Sequence, residues 1–240
     1  MKADGAPNKQ ESEKTKRDGG ARALKKRIVI VDDHPVLRTG LCRLINSKDG
    51  FEVCGEAGAA AECMGLIATL KPDLVIVDIG LPDASGIELT KRIRARYPKL
   101  PILILSMHEE PLYAMRALRA GAMGYIIKQD AIEKIADALN RTLSGQRYIS
   151  PAISGQLALE SNGLASPSIT NDFTDMLTDR ELEIFELIGK GHEVREIAKA
   201  LRLSPKTVDT HRTHIKTKLK LKNARQVARF AVQWVAQHSS

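Results

Sequence analysis

Leu74-Val75-Ile76-Val77-Asp78 is a short apolar run that stops on a polar side chain, and the same pattern recurs three times in the chain. Arg27-Ile28-Val29-Ile30-Val31 stops on Asp32-Asp33, Ile102-Leu103-Ile104-Leu105 on Ser106, and Tyr125-Ile126-Ile127 on Lys128. Unbroken apolar runs of this length fit strands of a parallel sheet that is buried on both faces. In an open parallel sheet, ligands bind in the crevice beyond the carboxyl ends of the strands. These four run-ends therefore bring three carboxylates, a hydroxyl and an ammonium to one crevice, a set suited to a divalent cation and a phosphoryl group.

Outward from these runs the pattern alternates. Strands are expected over 27–31, 51–54, 74–77, 102–105 and 123–127. Helices are expected between and after them, over about 35–47, 60–70, 86–96, 111–119 and 131–144. In the last of these, Ile132, Ile135, Ala136 and Leu139 are expected to share the inner face. Five strand–helix units imply a doubly wound α/β domain with right-handed crossovers. Residues 146–173 are rich in Ser, Gly, Pro and Asn and read as a linker, with a short helix near Ile153–Leu159. No strand pattern follows it, and four helices fit over about 179–189, 194–201, 205–219 and 224–236. The resulting division is a basic tail at 1–26, expected to be disordered, an α/β domain at 27–145, the linker at 146–173 and an all-α domain at 174–240.

At 240 residues the chain has room for two domains. No apolar stretch reaches the roughly 18 residues of a membrane span, and the first residues lack the apolar core of a signal peptide, so a cytoplasmic protein is expected. Cys42, Cys54 and Cys63 lack metal-ligand spacing and read as reduced thiols in or near the core. The net charge of +8 is unevenly spread. Residues 27–145 carry 15 Lys and Arg against 15 Asp and Glu, whereas residues 174–240 carry 13 against 8. A basic C-terminal module beside a neutral one suggests contact with nucleic acid there, although charge alone fits a solvated surface equally well.

Three clustered carboxylates repel one another unless a cation joins them, and Mg²⁺ prefers a few oxygens plus water and substrate phosphate. Lys128 offers a point charge for a phosphoryl oxygen, and Ser106 a hydroxyl donor. Asp78 stands alone in the middle of the set and is the candidate nucleophile for an aspartyl phosphate. The paired Asp32 and Asp33 suit the metal. Residues 27–145 resemble a response-regulator receiver domain in the acidic pair Asp32-Asp33, in Asp78-Ile79-Gly80-Leu81-Pro82 with Gly86 and Glu88, in Ser106, and in Tyr125 three residues before Lys128. The resemblance implies a flavodoxin-like, five-stranded parallel sheet of order 2-1-3-4-5. It makes Asp78 the phosphoacceptor. Asp33, Asp78 and the Gly80 carbonyl would hold Mg²⁺ directly, with Asp32 acting through the metal's water. Ser106 and Lys128 would hold the phosphoryl group, with Ser106 and Tyr125 as the switch pair. A packed strand residue is the competing reading of Tyr125.

In the last third, Pro205 to Leu219 places Val208, Ile215 and Leu219 on one face at about 100° per residue. Lys206, Asp209, Thr210, Thr213, Thr217 and Lys220 point the other way, and Ser204 and Pro205 suit an N-cap and first helical residue. Such an outer face suits a major groove. The preceding helix joins it through Arg202-Leu203-Ser204, the short connection of a helix-turn-helix. Residues 177–219 resemble the LuxR-type helix-turn-helix of the NarL/FixJ subfamily. The matches are Leu177-Thr178, Arg180-Glu181, Gly191, Glu196-Ile197-Ala198, Leu201, Leu203-Ser204, Thr207-Val208, His211, Ile215 and Lys218-Leu219. Lys206, Asp209, Thr210 and Thr213 are the expected groove-facing residues. Thr207, Arg212, His214, Lys218 and Arg195 are the expected phosphate contacts. Val227, Phe230 and Trp234 of the last helix are an expected dimer contact by the resemblance, with core packing as the alternative for Trp234. One departure stands out: Glu193 and Val194 replace the hydroxyl residue and Asn that usually open the second helix of the subfamily.

These readings converge on a DNA-binding transcriptional regulator, phosphorylated by a sensor histidine kinase, dimeric when active, and with no membrane partner. An alternative is a regulator that works without phosphate, through protein contacts of its receiver. A phosphatase using Asp78 is disfavoured, because such hydrolases place a second acid two residues on, where this chain has Gly80. No enzymatic activity beyond the receiver's Mg²⁺-assisted phosphorylation of itself is expected.

Overall fold

A computed structural model of the chain describes residues 24–107, 111–151, 153–155 and 171–238. Nearly all of the basic tail, and the end of the short helix expected near Ile153–Leu159, lie outside the described residues. The order is β1 (Lys26–Val31), α1 (Pro35–Asn46), β2 (Phe51–Ala57), α2 (Ala60–Leu70), β3 (Leu74–Asp78), α3 (Gly86–Arg96), β4 (Ile102–Ser106), α4 (Pro111–Arg119), β5 (Gly124–Ile127), α5 (Ala131–Leu143) and β6 (Tyr148–Ile149). The helices α6 (Asn171–Thr174), α7 (Asp179–Gly189), α8 (Val194–Ala200), α9 (Pro205–Lys218) and α10 (Ala224–His238) follow.

The sheet is parallel throughout, in the order β2-β1-β3-β4-β5-β6. The first five strands have the expected order. The two-residue β6 is an addition, paired through Gly124 with Tyr148 and Tyr125 with Ile149. It forms because Ser150 Oγ accepts from the Ile127 amide and the Ser150 amide donates to the Tyr125 carbonyl, covering the β5 edge.

The strands are buried on both faces, as their unbroken apolar runs require. Val29, Val31, Val75, Val77, Ile102 and Ile104 face one core, shared with α2, α3 and α4. Ile28, Ile30, Leu74, Ile76, Leu103 and Leu105 face the other, shared with α1 and α5. The inner face of α5 is Ala131, Ile135, Ala138, Leu139 and Thr142, and Ile132 is 73% exposed. Ile135 and Leu139 lie there as expected, but Ile132 lies roughly 80° from the centre of that stripe at about 100° per residue.

The C-terminal helices pack around α7. Phe173, Phe185, Phe230 and Trp234 form an aromatic cluster with centroids 4.8–6.4 Å apart. Gly189 lets α10 come close, since a Cβ there would stand 2.5 Å from the Ala231 carbonyl oxygen. Val227 and Trp234 are buried and Phe230 half-buried in this core. In this arrangement the three expected dimer residues are thus taken up by the chain's own packing, because α10 needs its widest apolar stripe to cover α7.

Candidate functional site

Asp32 and Asp33 follow β1, and Asp78 ends β3. The chain leaves β1 toward β2 on one side of the sheet order and returns at β3 on the other, so these acids sit at a topological switch point, where ligand crevices form. Asp32, Asp33 and Asp78 are all buried, as is Lys128. Lys128 reaches across from the end of β5. Its Nζ donates to Asp78 Oδ2 at 2.8 Å and stands 2.9 Å from Asp32 Oδ2. Its amide donates to the Ser106 carbonyl at 2.7 Å, which staples the ends of β4 and β5 together. Ser106 and Tyr125 are fully buried.

Burial pushes the Asp78 carboxyl above the ordinary carboxylate range. The Lys128 charge opposes this and the Asp32 charge adds to it. The α3 helix presses on the same backbone: its first residue, Gly86, donates to the Ile79 carbonyl at 2.8 Å, and a Cβ there would meet the Asp78 carbonyl oxygen at 2.0 Å. Only glycine permits that approach.

The oxygens fit a hard divalent cation. Asp33 Oδ1 is buried with no aligned hydrogen bond, and Asp32 Oδ2 meets Lys128 as an ion pair without hydrogen-bond alignment. Such buried oxygen lone pairs are what Mg²⁺ takes up. The structure also brings in a residue that the sequence reading passed over. His34 Nδ1 stands 2.6 Å from Asp33 Oδ1 and 3.3 Å from Asp32 Oδ1, and the four residues form a cluster with metal-ligand spacing.

The α7 helix lies against this region. Arg180 donates to Glu183 Oε2 at 2.8 Å and to the Leu81 carbonyl, three residues beyond Asp78. Arg116 of α4 donates to Asp179 Oδ1 at 2.6 Å and to the carbonyls of Thr174 and Leu177, and Tyr113 OH donates to Glu186 at 2.8 Å. Burial pushes Glu183 up to about 7, against the pull of Arg180 and with help from Asp179 and Asp78. Its folded value lies above the 4.5 of the free side chain. Between about pH 4.5 and 7 the folded chain therefore holds a proton that the unfolded chain releases, so stability falls as pH rises through that window. Glu183→Gln removes this dependence. Relative to the parent, the variant gains stability between pH 4.5 and 7.5, by at most about 3 kcal/mol, in urea unfolding followed across that range.

The helix pair α8–α9 has the expected form. Ser204 Oγ accepts from the Thr207 amide at 3.0 Å, with Pro205 opening α9. At the start of α8, Glu196 reaches back and accepts from the Glu193 amide at 2.8 Å, so the missing hydroxyl cap is offset from inside the helix. Lys206, Asp209, Thr210 and Thr213 are all exposed on one outer face. Asp209 pairs with Arg212 at 3.2 Å, and Thr210 and Thr213 bond back to the carbonyls four residues earlier. His214 and Arg195 are exposed, and Thr207 is half-buried at the cap. Lys218 Nζ donates to Glu181 Oε2 at 2.6 Å. Burial works to raise Glu181, but the Lys218 and Thr178 donors outweigh it and hold the carboxyl below its usual range. His211 is half-buried, and burial lowers its pKa.

Residues 28–140 match the family model of the response regulator receiver domain, and residues 175–231 that of the bacterial regulatory proteins of the luxR family. The response regulator GacA of Pseudomonas aeruginosa is 36% identical over 207 residues, covering 86% of this chain and 95% of that one. The oxygen regulatory protein NreC of Staphylococcus carnosus is 38% identical over 210 residues, covering 86% and 97%. Among solved structures, RcsB of Salmonella enterica serovar Typhimurium, bound to a promoter in the presence of the phosphomimetic BeF3-, aligns with a TM-score of 0.57 at 25% identity, covering 90% of this chain and 99% of that one. A two-component response regulator of the LuxR family from Aurantimonas sp. aligns at 38% identity and a TM-score of 0.56, over 57% of this chain and 99% of that one. With both family models matched in series, this chain belongs to the two-component response regulators of the NarL/FixJ type, DNA-binding proteins built from a receiver domain and a LuxR-type helix-turn-helix.

Proposed function

We propose that this chain is a transcriptional regulator switched by phosphorylation of Asp78. The observation that carries the reading is the buried grouping of Asp32, Asp33 and Asp78 around Lys128, in a chain whose α9 presents a polar outer face to solvent. We assign the receiver to residues 27–145, the linker to 146–173 and the DNA-binding domain to 174–240.

Asp33, Asp78 and the Gly80 carbonyl would hold Mg²⁺, with Asp32 behind a bound water. When bound, the cation supplies positive charge against the equatorial oxygens of the transferring phosphoryl group. The residues of the chain do the rest. An Asp78 oxygen attacks the phosphorus of a sensor kinase's phosphohistidine. The new P–O bond forms as the P–N bond breaks, and the imidazole leaves with the electron pair. Lys128 holds a phosphoryl oxygen, and the Ser106 hydroxyl donates to another. Tyr125, packed between β4 and β6, responds to the movement of Ser106 and biases the surface of α4 and α5 between two states. A nearly complete shift from 99:1 would need about 5.5 kcal/mol of differential stabilisation.

On the output side, Lys206, Asp209, Thr210 and Thr213 read base edges, and Thr207, Arg212, His214, Arg195 and Lys218 contact phosphates. Lys218 must leave Glu181 to do so. A dimer that uses Val227, Phe230 and Trp234 requires α10 to turn part of its buried stripe outward. The regulator acts in the cytoplasm, where the DNA is. The test is selection of bound DNA from a random pool. Asp209→Ala and Thr213→Ala are expected to relax base preference by about 1–3 kcal/mol at individual positions. Unchanged preference in both variants would remove α9 from the groove.

A further inference from the structure

The turn between α8 and α9 holds an arginine inside the acidic crevice. Arg202 Nη1 stands 2.9 Å from Asp33 Oδ2 and donates to the Asp33 carbonyl at 2.7 Å, across 169 residues of sequence. Asp33 is the carboxylate whose other oxygen is buried without an aligned donor. The arginine also occupies an unusual backbone position. Its φ is +52°, at the point where a helix end is normally closed by glycine. A side chain there is strained, and the turn tolerates that strain while placing a guanidinium on the receiver.

Asp32 and Asp78 share the Lys128 ammonium, and Asp33 is met by Arg202 at one oxygen and by the His34 imidazole at the other. Three carboxylates facing two cations leave a net deficit of one positive charge. A divalent cation turns that deficit into an excess, so one of the resident cations becomes the weaker partner. Lys128 is buried and paired with two acids, whereas the Arg202 side chain is half exposed and pairs with one. We propose that the Arg202 guanidinium is a tethered stand-in for the divalent cation: the DNA-binding turn and the metal compete for Asp33.

The inference rests on the proposed cation site, and it gives that site a direct link to the output domain. Linkage makes the effect reciprocal. Docking of the turn weakens the cation, and the cation loosens the turn before any phosphoryl group arrives. Couplings of this kind are typically about 5–150-fold. Arg202→Gln should therefore bind Mg²⁺ about tenfold more tightly than the parent.

The experiment is calorimetric titration of MgCl₂ into the full chain, as wild type, Arg202→Gln, Arg202→Lys and Arg229→Gln. Arg229 is an exposed cation of α10, so that variant controls for net charge. Thermal unfolding checks that each variant is folded. The companion measurement is the distance between spin labels on α1 and α10, with and without Mg²⁺. The expected result is tighter binding in Arg202→Gln only, near-parent binding in Arg202→Lys, and a Mg²⁺-dependent lengthening of the label distance in the parent that Arg202→Gln already shows without metal. Equal affinity of the parent and Arg202→Gln overturns the competition and leaves the cation site standing. An equal gain in Arg229→Gln overturns it too, as a charge effect. Absence of Mg²⁺ binding in every protein overturns both the competition and the cation site.

Discussion

Asp78→Asn is expected to take up no phosphoryl group from a small phosphodonor in the presence of Mg²⁺, while the parent chain gains one. Intact-mass spectrometry reads the difference directly. The expectation follows from the geometry of the acid. Asp78 ends β3 beside Asp32, with Lys128 2.8 Å from its Oδ2, and it is buried deeply enough to raise its pKa. An amide at this position keeps the shape but lacks the nucleophilic oxygen and the charge. Asp32 and Asp33 cannot replace it if their oxygens are committed to the cation, so the loss should be complete. Labelling of the variant at the parent's level would remove Asp78 from the proposed role.

Lys128→Ala should have the next largest effect, and in two separate quantities. The ammonium is the shared partner of Asp32 and Asp78. Its loss leaves two buried carboxylates facing each other, and breaking a buried ion pair on one side typically costs about 3–5 kcal/mol. In urea unfolding without metal, the variant should lose stability on that scale. Added Mg²⁺ should recover part of the loss, since a ligand that binds only the folded state stabilises it by mass action. Phosphoryl uptake should stay severely reduced even with Mg²⁺, because the cation replaces the charge but not the donor to the phosphoryl oxygen. A variant that kept both its stability and its phosphoryl uptake would show Lys128 to be a bystander.

The fold was legible where local pattern and burial coincide. Each of the four apolar runs became a strand buried on both faces, because a parallel sheet leaves no wet face to force alternation. The α9 helix was legible too: Ser204, Pro205, Val208 and Ile215 declare its start and its inner face locally. What escaped depends on how the backbone turns and on which units meet, neither of which a periodicity records. His34 joins the crevice only because the chain turns back into α1 over Asp32, whose Oδ1 accepts the His34 amide at 2.7 Å. Arg202 meets Asp33 only because two separate helical and α/β units come together, and no periodicity in either announces it. On α5, Ile135 and Leu139 lie on the inner face as expected, but Ile132 lies roughly 80° from its centre. Ile132 is as apolar as its buried neighbours, and only the angle of the sheet beneath decides which stripe is covered. Trp234, Phe230 and Val227 illustrate the same limit: an apolar stripe records that something covers it, not whether the cover is α7 or a second copy.

The most direct test of the account is the affinity of the full chain for a DNA selected from a random pool, measured with and without phosphodonor and Mg²⁺, for the parent and for Asp78→Asn. The account predicts that the phosphodonor raises the parent's affinity and leaves that of Asp78→Asn where it was. Equal affinity of the parent in both conditions, at full phosphoryl occupancy of Asp78, would contradict it and make the DNA-binding helices independent of the crevice.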